Sequence, residues 1–272
     1  MTMIEPKPAM STADGETAEP VVAARGLRKS FNGAEVLKGA SLAVPRGDVA
    51  AIIGPSGGGK STLLRCINQL TEPDEGEVRI HGTPVGRWRD ADGRVRTQPA
   101  KELRAIRARM PMVFQRFNLF HHRTALANVI EPQLRVLRRS KADAKDRAEE
   151  VLAKVGLTHR LGAYPHTLSG GEQQRVGIAR ALAMDPEIIL FDEPTSSLDP
   201  EMVGGVLDII AALAAEGMTM LIVTHEMTFA RDIANRVYFL EQGVVAEEGS
   251  PQEIFGSDHY GRARAFARLV TR

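Results

Sequence analysis

The sequence predicts an α/β fold with a parallel sheet at its centre, and three observations carry that prediction. The stretch Gly54-Pro55-Ser56-Gly57-Gly58-Gly59-Lys60-Ser61-Thr62 fits G-x-x-x-x-G-K-[ST] and stands between a short apolar run, 48–53, and a segment of helical period, 61–70. Two more apolar runs, 188–191 and 218–223, are short enough for buried strands and end in the polar pairs Asp192-Glu193 and Thr224-His225. Helical spacing fills 172–184 and 200–215, so strands and helices alternate as they do when parallel strands are joined by crossover helices.

In chain order, residues 1–20 mix Pro, Thr, Ala, Glu and Gly without hydrophobic period and read as a disordered lead-in. A small antiparallel sheet is expected from strands at 21–24, 35–37 and 41–44, closed by the turn Pro45-Arg46-Gly47. Phe31, before the turn residues Asn32-Gly33, could stack on a purine or pack on this sheet, and packing is the plainer reading of the residue alone. The glycines of 54–59 let successive backbone N–H groups turn toward phosphate oxygens, and the helix that follows adds the positive end of its dipole. Lys60 would reach the β- and γ-phosphates of ATP or GTP, and the Ser61 hydroxyl would ligate Mg²⁺. A strand at 77–80 turns at His81-Gly82; 86–99 reads as a solvated, charged insertion with a hairpin at Asp92-Gly93.

A helix at 101–109 and a strand at 111–114 deliver Gln115, and helical stretches at 126–137 and 140–155 form a helical insert. Ser140 to Asp143 has the form of a capping box with Asp in place of Glu or Gln. His121-His122 is not a metal pair, because adjacent residues on a helix diverge and no ligand cluster accompanies them. Two acids at the carboxyl end of a buried strand sit where open parallel sheets bind ligands. Asp192 would hold Mg²⁺ beside Ser61, Glu193 would orient or deprotonate water, and His225 could contact the γ-phosphate. A hairpin at 237–247 around Gln242-Gly243 and helices at 251–255 and 261–270 complete the chain.

Composition narrows the function classes. With 43% hydrophobic residues the 272-residue chain has ample material for a core of one large or two smaller domains. Lys plus Arg number 35 against 34 Asp plus Glu, a net charge of +1 that gives no reason to expect nucleic acid. The single cysteine, Cys66, excludes an internal disulfide and reads as a buried spacer rather than a reactive thiol. No apolar run approaches the roughly 20 residues of a membrane span, so a membrane role requires partner subunits.

The phosphate loop, Gln115, Leu168-Ser169-Gly170-Gly171-Glu172-Gln173, the run 188–193, Ser197-Leu198-Asp199 and His225 together resemble the ATP-binding subunits of ABC transporters over nearly the whole chain. That resemblance implies a P-loop NTPase of the ABC-ATPase fold: a RecA-like parallel-sheet core, an N-terminal antiparallel β-subdomain and an α-helical subdomain at about 116–184, within a domain spanning 21–260 and followed by a C-terminal helix at 261–272. It makes Phe31 the aromatic that stacks on adenine, and Gln115 the link from Mg²⁺ and water to the transmembrane partner. Ser169, Gly170 and Gly171 become the signature, exposed donors with no ligand in their own protomer that face the ATP of a second copy. Segments such as 112–120 and 223–227 are similar to the polar amino-acid uptake subfamily of bacterial importers, and the insertion around 90–94 to members serving basic amino acids or opines. The implied protein is a homodimeric ATPase at the cytoplasmic face of the inner membrane, joined to permease subunits and served indirectly by an extracytoplasmic solute-binding protein; an exporter or lipid-release ATPase, or a non-transport ABC ATPase, is the alternative. Departures fall at Gly58, Glu172 and Ser197, where Ser, Gln and Ala are common, and at His121-His122-Arg123 in the segment 117–123 expected to meet the permease.

Overall fold

The computed structural model describes residues 19–256 and 261–270. The expected lead-in at 1–20 therefore lies outside the described residues except for Glu19 and Pro20. The chain opens with β1 (Val22–Phe31) and β2 (Ala34–Val44), two long antiparallel strands in place of the three short ones expected. Register shifts between Ala24 and Leu27 and between Lys29 and Ser30 absorb the interruptions in alternation, so the ladder continues through them. Asn32 and Gly33 join the strands with φ of 50° and 82°, the two positive values a tight hairpin turn needs.

Next come β3 (Val49–Ile53) and α1 (Lys60–Ile67), then β4 (Glu75–Ile80) and β5 (Thr83–Val85). The 86–99 insertion is a separate hairpin, β6 (Arg87–Arg89) and β7 (Val95–Thr97), whose loop is tied by the Asp90 carboxylate accepting from the backbone of Asp92 and Arg94 and from Arg96 Nε. After α2 (Ala100–Arg109) and β8 (Met112–Val113) the helical subdomain comprises α3 (Ala125–Pro132), α4 (Lys141–Lys154) and α5 (Gly170–Leu182). A π-helical turn, Gln133–Leu137, follows Pro132, which has no N–H to give the regular helix ladder. The remaining elements are β9 (Ile189–Asp192), α6 (Pro200–Ala215), β10 (Met220–Val223), α7 (Met227–Ile233), β11 (Arg236–Glu241), β12 (Val244–Gly249), α8 (Pro251–Phe255) and α9 (Arg262–Val270).

Two sheets result. The antiparallel one has the order β2-β1-β4-β5, and the core one has the order β12-β11-β3-β10-β9-β8, parallel except for β12. Val49 to Ile53, Ile189 to Asp192 and Met220 to Val223 are buried throughout, which explains why these strands read as continuous apolar runs rather than alternating ones. Leu63, Leu64, Cys66 and Ile67 of α1 fill the space between the sheets. Truncating a leucine such as Leu63 there to alanine is expected to cost about 2–5 kcal/mol. Burial pushes the Cys66 thiol up to about 12, which fits a packing role. Buried Tyr238 donates to Ala43 O at 2.6 Å and accepts from Ala43 N at 3.1 Å, pinning the core sheet to the antiparallel one.

Helix starts differ from expectation for identifiable reasons. α5 begins two residues early because Ser169 caps it and Glu172 closes a reciprocal capping box. At α4 only half a box forms: Ser140 Oγ accepts from Asp143 N, but the Asp143 carboxylate, one methylene shorter than Glu, meets the Ser140 hydroxyl instead of its backbone N–H. The seven-residue α7 escaped prediction; it is short and Glu226 gives it no side-chain cap.

Candidate active site

The core strands end together. Ile52 pairs with Val223, and Val223 with Asp192, so the loop after β3, the acids after β9 and His225 after β10 leave the sheet at one edge. Gly54 runs so close to β11 that a Cβ would lie 2.1 Å from Leu240 O, and Gly59 adopts φ 98° with Val36 O 3.0 Å from where a Cβ would be. The same β2 segment thus touches both the loop and the hairpin that carries Phe31. Pro55 and Ser56 cross the turn, Ser56 and Gly57 are exposed, Gly58 and Gly59 are buried, and Ser61 and Thr62 are half-buried in the first turn of α1.

Lys60 is buried, and its Nζ donates to Gly54 O and Pro55 O, both at 3.0 Å, while standing 3.8 Å from Glu193 Oε1. Burial lowers its ammonium from the ordinary value, opposed by the charges of Glu193 and Asp192. An ammonium held by carbonyls at the mouth of a glycine loop is poised to exchange them for phosphate oxygens. Ser61 Oγ donates to Asp192 Oδ1 at 2.6 Å, with Arg65 3.5 Å from the other carboxylate oxygen. Burial raises Asp192 against those favourable partners. One hydroxyl and one carboxylate form a donor set suited to Mg²⁺, which keeps waters and binds substrate phosphates; among the described residues no group of three His, Cys, Asp or Glu is gathered for a protein-only metal cage.

Glu193 adopts φ 49°, a left-handed conformation that costs a non-glycine residue roughly 1–3 kcal/mol and persists only where the surroundings over-determine it. Its N–H donates to Val223 O at 3.0 Å, and its Oε1 lies 2.9 Å from His225 Nε2. The His225 hydrogen bond, working against burial, holds the carboxyl below its usual range, so at neutral pH it is a carboxylate. The sequence allowed His225 a contact with the γ-phosphate, and in the structure its Nε2 engages Glu193.

Gln115 lies two residues past β8 at the same sheet edge and is exposed, and the bonds made by Ser61 and Asp192 do not involve it. Phe31 is 45% exposed, with the Lys29 ammonium 5.5 Å from its ring centroid, so the ring is not buried in the sheet. Ser169, Gly170 and Gly171 form the head of α5, and the side chains nearest the two glycines belong to Leu198, Phe117 and Met202, none to the phosphate loop. The expectation that both glycines are exposed donors needs correction: Gly170 is half-buried and Gly171 buried, its N–H directed at Met202 Sδ at 3.4 Å. Met202 was missed because its contact spans the distance from α5 to α6, whereas the Ser169-x-x-Glu172 spacing was readable in the chain itself.

A cleft of about 400 Å³ opens between α2, α5 and the segment after Gln115, lined by Phe114, Phe120, Val136, Arg104 and Arg180 among others. Arg180 donates to Asn118 O at 2.8 Å and Phe117 O at 3.3 Å and lies 5.9 Å from the Phe120 ring, so it fastens this segment to the helix that Ser169 caps. Among the described residues no helix is long and apolar enough to cross a membrane.

A family model described as ABC transporter matches residues 37–196. The histidine/lysine/arginine/ornithine transport ATP-binding protein HisP of Salmonella typhimurium is 53% identical over 243 residues, covering 89% of this chain and 94% of that protein. The nopaline permease ATP-binding protein P of Agrobacterium fabrum is 50% identical over 255 residues, covering 94% and 99%. Among solved structures, the dimeric post-hydrolysis state of the ATP-binding cassette MJ0796 bound to ADP and Pi superposes with a TM-score of 0.73 at 35% identity, over 85% of this chain and 98% of that one.

Proposed function

The chain belongs to the ABC transporter family, as the family model and the relatives establish, and from that premise we propose how its own residues serve an uptake ATPase. It is the ATPase subunit of an importer whose solute is a basic amino acid or an opine, in keeping with the transport for which HisP and the nopaline permease protein are named. The mechanism rests on two contact sets at one sheet edge, Ser61–Asp192 and Lys60–Glu193–His225.

ATP phosphates bind along the N–H groups of 54–62, and Lys60 trades its loop carbonyls for the β- and γ-phosphates. Ser61 and Asp192 would hold Mg²⁺, which would supply charge neutralisation to the phosphates. Glu193, ionised, orients the attacking water and accepts its proton; His225 keeps that carboxylate aimed. Phe31 would stack on the adenine, and Gln115 would stand between the Ser61–Asp192 site and the permease. Ser169, Gly170 and Gly171 meet the γ-phosphate of ATP held by a second copy in a homodimer. Phe117 to Arg123 and the neighbouring apolar cleft receive the permease at the cytoplasmic face of the membrane.

Reconstitution tests the solute assignment. Vesicles carrying this subunit, its permease and its binding protein are expected to hydrolyse ATP faster when arginine, histidine or nopaline is supplied, and stimulation by none of these contradicts the assignment.

A further inference from the structure

Glu172, third residue of α5, brings a negative charge to a helix end that is meant to attract phosphate. In the first turn that charge complements the helix dipole. It also weakens the positive potential on which anion binding at the same end depends. The side chain is turned inward: Oε2 accepts from Ser169 N at 2.8 Å, Oε1 accepts from Arg160 Nε at 2.8 Å, and its side chain is only 11% exposed. Arg160 comes from the short 3₁₀ turn Thr158–Arg160, outside α5, and no part of the mechanism above uses it. The nearby Arg175 is committed elsewhere, its Nε directed at Gly171 O and its guanidinium at Val155 O.

We propose that Arg160 is a positioning residue, which neutralises Glu172 and holds it inward so that the Ser169 to Gly171 donors can accept the phosphate of a second copy's ATP. Burial alone would raise the Glu172 carboxyl; the Ser169 backbone and Arg160 hold it below its ordinary value, so the carboxylate depends on them. A glutamine at 172 would make the same bond to Ser169 N without a charge, and Arg160 would then have nothing to neutralise.

The inference rests on the two-chain reading of the nucleotide site, and a double-mutant cycle separates the two. The readout is Mg-ATP-driven dimerisation of the full chain, with ATP affinity of the monomer measured alongside. Arg160→Ala is expected to weaken dimerisation about tenfold, the scale of coupling between contacting groups, and Arg160→Lys to recover part of that loss. Adding Glu172→Gln to Arg160→Ala is expected to restore dimerisation to within about twofold of Glu172→Gln alone. ATP affinity of the monomer should stay unchanged throughout, because the phosphate loop is untouched. Equal losses from Arg160→Ala in both backgrounds, or none in either, overturn the role of Arg160. Native protein that binds Mg-ATP but never dimerises overturns the two-chain reading itself.

Discussion

The two ends of the nucleotide site are built differently. At the phosphate loop everything needed to hold an anion is assembled within one chain: Lys60 is buried against its loop carbonyls, Ser61 is bonded to Asp192, and Glu193 is fixed by His225. At the head of α5 the chain satisfies its own donors, with Glu172 on Ser169 N and Met202 over Gly171 N. The first end is preorganised for a ligand of its own. The second is capped and partly covered, the side chains nearest its glycines being those of Phe117, Leu198 and Met202. On the proposed two-chain reading, this end receives its phosphate from another copy, which displaces the weak N–H to sulfur contact.

Substitutions should break this asymmetry in graded ways. The largest effect is expected at Glu193: Glu193→Gln should lower turnover by roughly 10²- to 10⁴-fold while retaining ATP, since it removes a base and leaves the phosphate clamp. Lys60→Ala should instead lose hydrolysis together with ATP affinity, so binding and turnover measured side by side separate the two roles. Ser169→Arg should leave monomer ATP binding intact and abolish turnover, the opposite pattern from Lys60→Ala. If Ser169→Arg weakens monomer binding, the two ends are not independent.

A smaller effect belongs to Phe31. Phe31→Ala should weaken ATP affinity by on the order of 1 kcal/mol, the lower end of base–aromatic stacking, with no change in base preference. Unchanged affinity in a nucleotide titration would leave the exposed ring without a ligand.

The smallest effect lies at the opposite end of β9, away from the site. Glu187 accepts from His81 and from Arg109, each at 2.8 Å, joining the antiparallel sheet to the core. Burial pushes its carboxyl up, but the bonds from His81 and Arg109 outweigh it and hold the carboxyl below the ordinary value. The stabilisation from this shift is therefore full above the ordinary glutamate value and is lost as pH falls through the depressed one. Glu187→Gln is expected to lower stability by about 1 kcal/mol at neutral pH, with the difference shrinking in acid, and to leave turnover unaltered. Chemical denaturation at neutral pH and at about pH 3 checks the sign against the reference glutamate value.

The loop-side half of the site was legible because its chemistry is local in sequence or fixed by strand ends. The loop residues 54–62 are contiguous, and Asp192, Glu193 and His225 each end an apolar run whose burial makes it recognisable. The three fully buried strands, the turn at Asn32-Gly33 and the Gln242-Gly243 hairpin were readable for the same reason. What the chain concealed depends on distant packing. Met202 over Gly171, Arg160 on Glu172 and Arg180 under residues 117 and 118 link elements whose approach no periodicity encodes. The contact of His225 with Glu193 was hidden likewise, since both strand ends were visible but not which side chain each would face.

Completion of one chain's phosphate loop by another chain's α5 is open to a direct distance measurement. Cys66 is buried with its thiol pushed up to about 12, so cysteines introduced at the exposed positions Ser56 and Thr167 would label selectively. Glu193→Gln protein carrying one label at 56 is mixed with the same protein carrying the other at 167, and the inter-label distance is followed on adding Mg-ATP. Nucleotide is expected to bring the labels of different chains close together, and Lys60→Ala to prevent it. Labels that remain far apart in ATP-saturated protein would contradict it.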